Sequence, residues 1–380
     1  MPCGASAAAT TGCRKVVDLS YGWAANRTIA PATELNGSYT GHSFSDRTVQ
    51  LIRDHDAEKQ LFLFVALHNT HAPIEAPPEY AALYNYTQTA RNEYYGQVSF
   101  VDSTVANISA ALHAKGLWDN TLFVWTTDNG SPVNSAGSND PFRGGKGSLW
   151  EGAYRVPGFI GGGLLPVAKR GTKMHGVIHI SDWWPTFAAL ARLEPVDSSG
   201  PTPLDGVDQS QYIMGGSGTP SPRTEVVLDH LMHCVPGPGY DAAQCVRGQT
   251  PDFPAGHYPN HTAGALLSIQ GDGSGKIFKL IVGPAAQASW YGHWPTNGTK
   301  TNYNAFVGCW PRPCLYEVGA SDPSEHVDLA ASEPAVLARM LARFKELESS
   351  YHPDKTNPPS DNAGACAALE ANGNFLKPWK

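Results

Sequence analysis

Apolar and polar positions divide the chain into two regimes. Up to about Leu193, short continuous apolar runs alternate with three-and-four periodicity. Residues 61–66, "LFLFVA", are bounded by polar and proline-rich sequence and predict a buried strand. From about Asn92 to Lys115, Val98, Val101, Val105, Ile108 and Leu112 recur three and four apart, and Gly116 stands where a glycine closes a helix. An amphipathic helix is expected there. Residues 121–126, "TLFVWT", predict a second buried strand that runs directly into "TDNG". Strand, helix, strand is a βαβ unit, which pairs its strands in parallel through a right-handed crossover. Open α/β sheets bind ligands at the carboxyl ends of their strands, and His71 and Asp128 both fall just past such ends. "VPGFIGG" and the helix-like "SDWWPTFAALARL" continue this pattern.

The stretch 195–221 is rich in Pro, Gly and Ser and reads as a boundary. Beyond it come short runs with turns between them, "TEVVLDHL", "GALLSIQGDGSGKIFKLIVG" and "CLYEV", then a helix near 333–349. The "QGDGSGK" insert predicts a hairpin, and the whole an α+β subdomain with an antiparallel sheet and a terminal helix. The expected organisation is an atypical segment over 1–40, α/β sequence over 41–221, the α+β subdomain over 222–350 and an irregular tail over 351–380.

Composition narrows the function classes. A formal net charge of −7 and the lack of a lysine/arginine block exclude a nucleic-acid footprint. No apolar run approaches the ~20 residues that span a bilayer. The N-terminus has no basic start followed by an apolar core, so no signal peptide is read there. Asn-x-Ser/Thr acceptors at Asn26, Asn36, Asn85, Asn107, Asn260 and Asn297 nonetheless point to the secretory pathway. Among seven cysteines, Cys234 with Cys245 and Cys309 with Cys314 are spaced like local disulfides. Nothing in the sequence bears on oligomeric state.

Three places could carry chemistry. Asp128 and Asn129 are hard oxygen ligands suited to Ca²⁺ or Mg²⁺. Alone, Asp-Asn-Gly is a turn; here it ends a predicted strand and "FRGGKGSLWEG" follows. Lys146 stands between glycines, so backbone can approach an anion beside its ammonium. His71, in "HNTHAP", could protonate a leaving oxygen, with His68 the weaker candidate.

The segments "LFLFVALHNTHAPIEAPPEY", "GLWDNTLFVWTTDNG", "FRGGKGSLWEGAYRVPGFI", "HISDWWPTFAALA", "LDGVDQSQYI" and "CLYEVGASDPSEHVDLA" resemble, in order and spacing, those of the type I sulfatases. The likeness runs over about residues 40–350. It is nearest to the arylsulfatase B branch, whose substrates include sulfated N-acetylgalactosamine. The resemblance implies an α/β fold, part of the alkaline-phosphatase-like sulfatase sandwich with a mostly parallel sheet and helices on both faces, plus a small C-terminal α+β subdomain. It implies hydrolysis of sulfate esters and a lysosomal or extracellular setting. Asp128 and Asn129 match the second half of the family's Ca²⁺ site, His71 the histidine at the sulfate and leaving-group oxygen, and Lys146 the lysine that bridges sulfate and nucleophile.

The sequence departs from that pattern in one respect. The family's nucleophile is a formylglycine made from cysteine in Cys-x-Pro-x-Arg, and none of the seven cysteines fits. Cys234 begins "CVPGP" and Cys309 "CWPRP", each without arginine at the fourth following position. The family's early Asp-Asp pair and lysine-histidine segment have no counterpart in residues 1–40. Asp128 and Asn129 supply about three oxygens, against the 6–8 that Ca²⁺ takes; Asp102, Asp140 and Glu151 are the carboxylates nearby in sequence. The expectation is a sulfatase polypeptide without the N-terminal part that carries the nucleophile, inactive as written. The alternatives are a non-catalytic protein that binds a sulfated glycan, and a metal hydrolase of phosphate or phosphonate esters from the same superfamily.

Overall fold

The computed structural model describes residues 19–23, 28–196, 203–216, 218–229, 264–270, 274–290, 306–348 and 371. The predicted pairing of Cys234 with Cys245, the acceptors Asn26, Asn260 and Asn297, and nearly all of the expected tail lie outside these. The chain divides into two compact units: residues 1–51, 62–69 and 352–380 in one, and residues 52–61 and 70–351 in the other.

In the first unit, β1 (Ser20–Trp23) and β2 (Thr28–Pro31) form an antiparallel ribbon, with Ser20 opposite Pro31. Helix α1 (Thr40–Asp54) follows, its last three residues counted with the second unit. Residues 61–66, expected as a buried strand, carry no ladder among the described residues, and Phe62 and Phe64 are 73% and 81% exposed. An unbroken apolar run announces burial on both faces, but it does not report whether a neighbour lies on either edge.

The second unit contains the expected helix. After the single turn α2 (Pro78–Ala81), α3 runs over Thr89–Ala114. Gly116, at φ 73°, closes it: its N–H donates to His113 O and that of Leu117 to Leu112 O, the paired bonds that end a helix on a left-handed residue. The buried face is rotated from the expected stripe. Gln97, Phe100, Thr104, Ile108, Ala111 and Leu112 are buried, whereas Val98 is 43% exposed. On that buried face Phe100 meets Tyr80 of α2 edge to face at 5.3 Å.

Residues 121–126 do contain a strand, β3 (Phe123–Thr126), but it pairs antiparallel with β4 (Gly158–Gly161), Val124 opposite Ile160. The predicted parallel partnership with residues 61–66 is absent from the described ladders, all of which are antiparallel. The intervening chain folds back through the short α4 (Glu151–Tyr154) to bring β4 alongside β3. Then come α5 (Trp183–Leu190) and α6 (Ser210–Met214). Within the stretch expected as a boundary, Gln209, Tyr212 and Ile213 are buried.

The C-terminal sheet is as expected. Strands β5 (Glu225–Asp229), β6 (Gly264–Ile269), β7 (Ile277–Gln287) and β8 (Phe306–Glu317) lie in that order, all antiparallel, with Ile269 opposite Ile277 at the predicted hairpin. Strand alternation gives the sheet two faces. Leu266, Leu280, Leu315 and Phe278 pack on Met340 and Phe344 of α7 (Pro334–Glu348). Ala265, Leu267, Ile281 and Tyr316 pack on Leu149 and Trp150. This second contact seats the loop that carries Lys146. Cys309 and Cys314 are joined by a disulfide within β8. Among the described residues no helix is long and apolar enough to cross a membrane.

Candidate functional site

Two loops of the second unit meet. His71 Nδ1 bonds the carbonyl of Ala72 at 2.9 Å, which assigns the proton to Nδ1 and leaves Nε2 facing outward. Lys146 Nζ lies 3.5 Å from that Nε2, so the ammonium donates toward the imidazole lone pair. Both side chains are exposed. A pair of cationic and protonatable groups open to solvent can receive a polyoxyanion and pass a proton to one of its oxygens.

The backbone beneath Lys146 is tied to the turn after β3. Lys146 N–H donates to Ser131 O at 3.3 Å. The Asn139 side chain accepts from Ser131 N–H and donates to the carbonyls of Ser131 and Gly144. Any side chain at Gly130 would run into Gly152 O, and one at Gly145 into Ser131 O, so both glycines are required by close backbone approach.

Asp128 and Asn129 sit at the start of the same turn. Asp128 Oδ1 accepts the Asn129 N–H at 2.8 Å, and Asn129 Nδ2 donates to Gly130 O at 2.9 Å. No hydrogen bond or ion pair joins either residue to His71 or Lys146 among the described residues. No group of three His, Cys, Asp or Glu residues stands ready to hold a metal there either. The two residues do not by themselves fit a Ca²⁺, whose 6–8 oxygens they cannot approach. Calorimetric titration with Ca²⁺ should give a dissociation constant in the millimolar range or weaker, as for open sites with few carboxylates. A micromolar constant lost in Asp128→Ala would mean that this chain supplies further ligands.

Of the nearby carboxylates, Asp102 and Asp140 are exposed, and Glu151 is engaged elsewhere. Lys279, fully buried on β7, lies 2.9 Å from Glu151 Oε1 and 2.9 Å from Glu325 Oε1. Glu325 Oε2 also accepts the N–H of Glu151 at 2.7 Å, and Arg155 approaches Glu151 from the solvent side at 3.8 Å. Burial pushes the Glu325 carboxyl up to about 7; Lys279 pulls it down and the like charge of Glu151 adds to the rise. Burial depresses the Lys279 ammonium, but the two carboxylates outweigh it and hold its pKa above the usual lysine value. Beside this group Arg143 lies between the rings of Trp150 and Trp290, 3.8 and 4.4 Å from their centres, and donates to the carbonyls of Ala288 and Glu325. Arg143, Trp150 and Glu151 thus anchor the two sides of the Lys146 loop to the C-terminal sheet. None of Arg143, Lys279 or Glu325 was singled out from the sequence.

A second buried cluster joins two more of the quoted segments. Asp182, fully buried at the head of α5, accepts from Arg223, from the N–H groups of His179 and Val207 at 2.8 Å, and from Gln209 Nε2 at 3.1 Å. Burial alone would raise its pKa; the Arg223 and backbone hydrogen bonds hold it below the usual carboxylate value. His68 belongs to the first unit, where its ring meets Phe44 edge-on at 4.9 Å.

The chain matches the sulfatase family model over residues 9–193. It is 28% identical over 355 residues to arylsulfatase J of Mus musculus, an alignment that covers 90% of this chain and 54% of that protein. To N-acetylgalactosamine-6-sulfatase of Canis lupus familiaris it is 31% identical over 185 residues, covering 47% of this chain and 33% of that one. The solved structure of Ps i-CgsB superposes with a TM-score of 0.58 at 21% identity, covering 88% of this chain and 61% of that one. That protein has also been solved with k-i-k-neocarrahexaose. The chain therefore spans about half the length of arylsulfatase J or less of the other curated relative. The fold is the alkaline-phosphatase-like α/β class of these sulfatase structures. With the family model laid over the His71 and Lys146 loops, and the later segments aligned to arylsulfatase J, the chain is similar to the type I sulfatases over most of its length.

Proposed function

We propose that the chain belongs to a sulfate-ester hydrolase in which Lys146 binds the sulfuryl oxygens and His71 protonates the departing alcohol oxygen. The 3.5 Å approach of Lys146 Nζ to His71 Nε2 carries this reading. Attack at sulfur places negative charge on the sulfuryl oxygens, where a fixed ammonium stabilises it, and breaking the S–O bond leaves an alkoxide that takes a proton from His71, whose Nε2 must first be protonated because in the free chain it accepts from Lys146. Asp128 and Asn129 are proposed only as two ligands of a Ca²⁺ site whose remaining oxygens these residues do not supply, and no step of the reaction is drawn through it. The substrate class is an aryl sulfate or a sulfated glycan of the N-acetylgalactosamine sulfate kind, in keeping with the relatives' names. The Asn-x-Ser/Thr sequences at Asn36, Asn85 and Asn107, whose asparagines are exposed, support a secretory setting.

None of the seven cysteines lies in Cys-x-Pro-x-Arg. That departure favours binding without turnover by these 380 residues alone, which is also what a sulfated-glycan-binding protein would do. The purified chain should bind 4-nitrophenyl sulfate weakly and release no nitrophenol. Lys146→Ala should weaken binding by roughly ten- to a hundredfold, the value of one charge-assisted hydrogen bond. Equal affinity in that variant would remove Lys146 from the site. Turnover abolished by His71→Ala would show that a nucleophile is present after all.

A further inference from the structure

Asn36, Asn85 and Asn107 are exposed, but the backbones that present Asn85 and Asn107 differ. Asn107 lies in the middle of α3, with Ile108 buried and Ser109 Oγ already donating to Val105 O at 2.8 Å. At about 100° per residue, side chains two apart on a helix point to different sides. The Asn107 amide and the Ser109 hydroxyl therefore cannot face one enzyme surface while α3 is intact.

Asn85 lies between α2 and α3. The rings of Tyr84 and Tyr86 stack on each other, 6.5 Å apart and inclined by 17°, and each lies 5.3 Å from Tyr95. Residues two apart share a side only when the backbone is extended. Asn85 and Thr87 then share the opposite side, and both are exposed. The segment is held from within. Tyr84 and Ser99 hydroxyls bond at 2.7 Å, and the Asn92 side chain accepts from Tyr86 N–H and donates to Tyr86 O. Arg91 lies over the Tyr86 and Tyr95 rings.

We infer that Asn85 is an N-glycosylation acceptor of the folded chain and that Asn107 is not. In the cell this rests on the secretory reading above; the acceptor geometry does not. In the transfer, Asn85 Nδ2 attacks C1 of an oligosaccharide carried on a polyprenyl diphosphate. The C1–N bond forms as the C1–O bond breaks, the diphosphate leaves with the electron pair, and the amide proton passes to a base of the transferase. The Thr87 hydroxyl is the second group that the enzyme reads.

The test uses the full chain made in bacteria, kept folded, and incubated with a purified oligosaccharyltransferase and its lipid-linked oligosaccharide. Occupancy is read by peptide mass spectrometry. Asn85 should be occupied at least about tenfold more than Asn107, a ratio set by the free energy of opening α3. In tryptic peptides of the same chain, where α3 no longer exists, the difference should largely vanish. Asn85→Gln should remove the Asn85 glycopeptide without raising occupancy at Asn107 and without shifting the melting temperature. Equal occupancy at the two asparagines in the folded chain would overturn the inference, as would an Asn85 modified in the peptide but not in the protein. A chain that accepts sugar at Asn85 in vitro, yet carries none when isolated from its own cells, would uphold the acceptor and remove the secretory reading.

Discussion

Lys279→Met is expected to lose about 3–5 kcal/mol of stability at pH 8, the cost of leaving buried carboxylates without their partner. That corresponds to a fall in melting temperature of roughly 10 °C in a domain of this size. Methionine matches the aliphatic stem, so the loss reports charge rather than volume. Lys279 is the cation that approaches both Glu151 and Glu325 to 2.9 Å, and without it two negative charges face each other in a dry core. The pH dependence identifies the cause. In the native chain Glu325, at about 7, sits above its ordinary value of 4.5, so the folded state holds this proton more tightly than the unfolded chain. Its contribution is complete below the ordinary carboxylate range and is lost as pH rises through about 7. Removing Lys279 pushes that carboxyl higher still, so the variant should regain stability steeply as pH falls from 8 to 5. Adding Glu325→Gln to Lys279→Met should recover part of the loss at pH 8. Calorimetric melts of the two variants at both pH values settle it; a Lys279→Met chain as stable as the parent at pH 8 would dismiss the buried ion group.

The physical signals behind these elements were unequally legible. Helix α3 was readable because its signal is local: a three-and-four stripe and Gly116 where the left-handed closing residue falls. The antiparallel sheet was readable from short apolar runs separated by turns and from the glycine-rich insert between β6 and β7. The partner of β3 was not. A strand's own residues tell how buried its faces are, whereas β4 is brought alongside β3 by the fold-back through α4, which no periodicity records. The meeting of His71 with Lys146, 75 residues apart, is likewise a product of tertiary structure.

The anchors of the Lys146 loop had a faint signal that went unread. Lys279 interrupts "KIFKLIVG" at a position facing the same side as Leu267 and Ile281, and a lysine on an inward strand position must have a charged partner. Glu151 and Glu325 stand in two of the sulfatase-like segments, so those segments hold parts of this ion group as well as Lys146. Glu151 had been counted among carboxylates that could reach a metal; its pairing with Lys279 removes it from that set. Sequence likeness around a site thus marks its foundations as well as its chemistry.

Arg223→Met should cost a comparable 3–5 kcal/mol, because it strands Asp182 as a buried, ionised carboxylate. Asp182 is fully buried, and the Arg223 guanidinium grips it through Nε and Nη2 while also reaching the carbonyls of Glu225 and Asp205. The same carboxylate gathers the N–H groups of His179 and Val207, so it holds the head of α5 against the segment leading into α6. Arg223→Lys should recover little, since an ammonium cannot reproduce the planar two-nitrogen grip. Asp182→Asn should also destabilise the chain. An amide offers one accepting oxygen where the two backbone N–H donors meet different carboxylate oxygens, so one donor would face an NH₂ group. The sign with pH is opposite to that of Glu325. Asp182 titrates below its ordinary value, so its contribution is present above the normal aspartate range and is lost as pH falls through the folded value. The parent should therefore lose stability on strong acidification, and Arg223→Met should approach it there while lying far below it at pH 7. Urea unfolding of parent and variants at pH 7 and pH 3 measures both effects. An Arg223→Met variant within about 1 kcal/mol of the parent at pH 7, the worth of an exposed ion pair, would mean that this cluster is open to water and does not fasten α5 to α6.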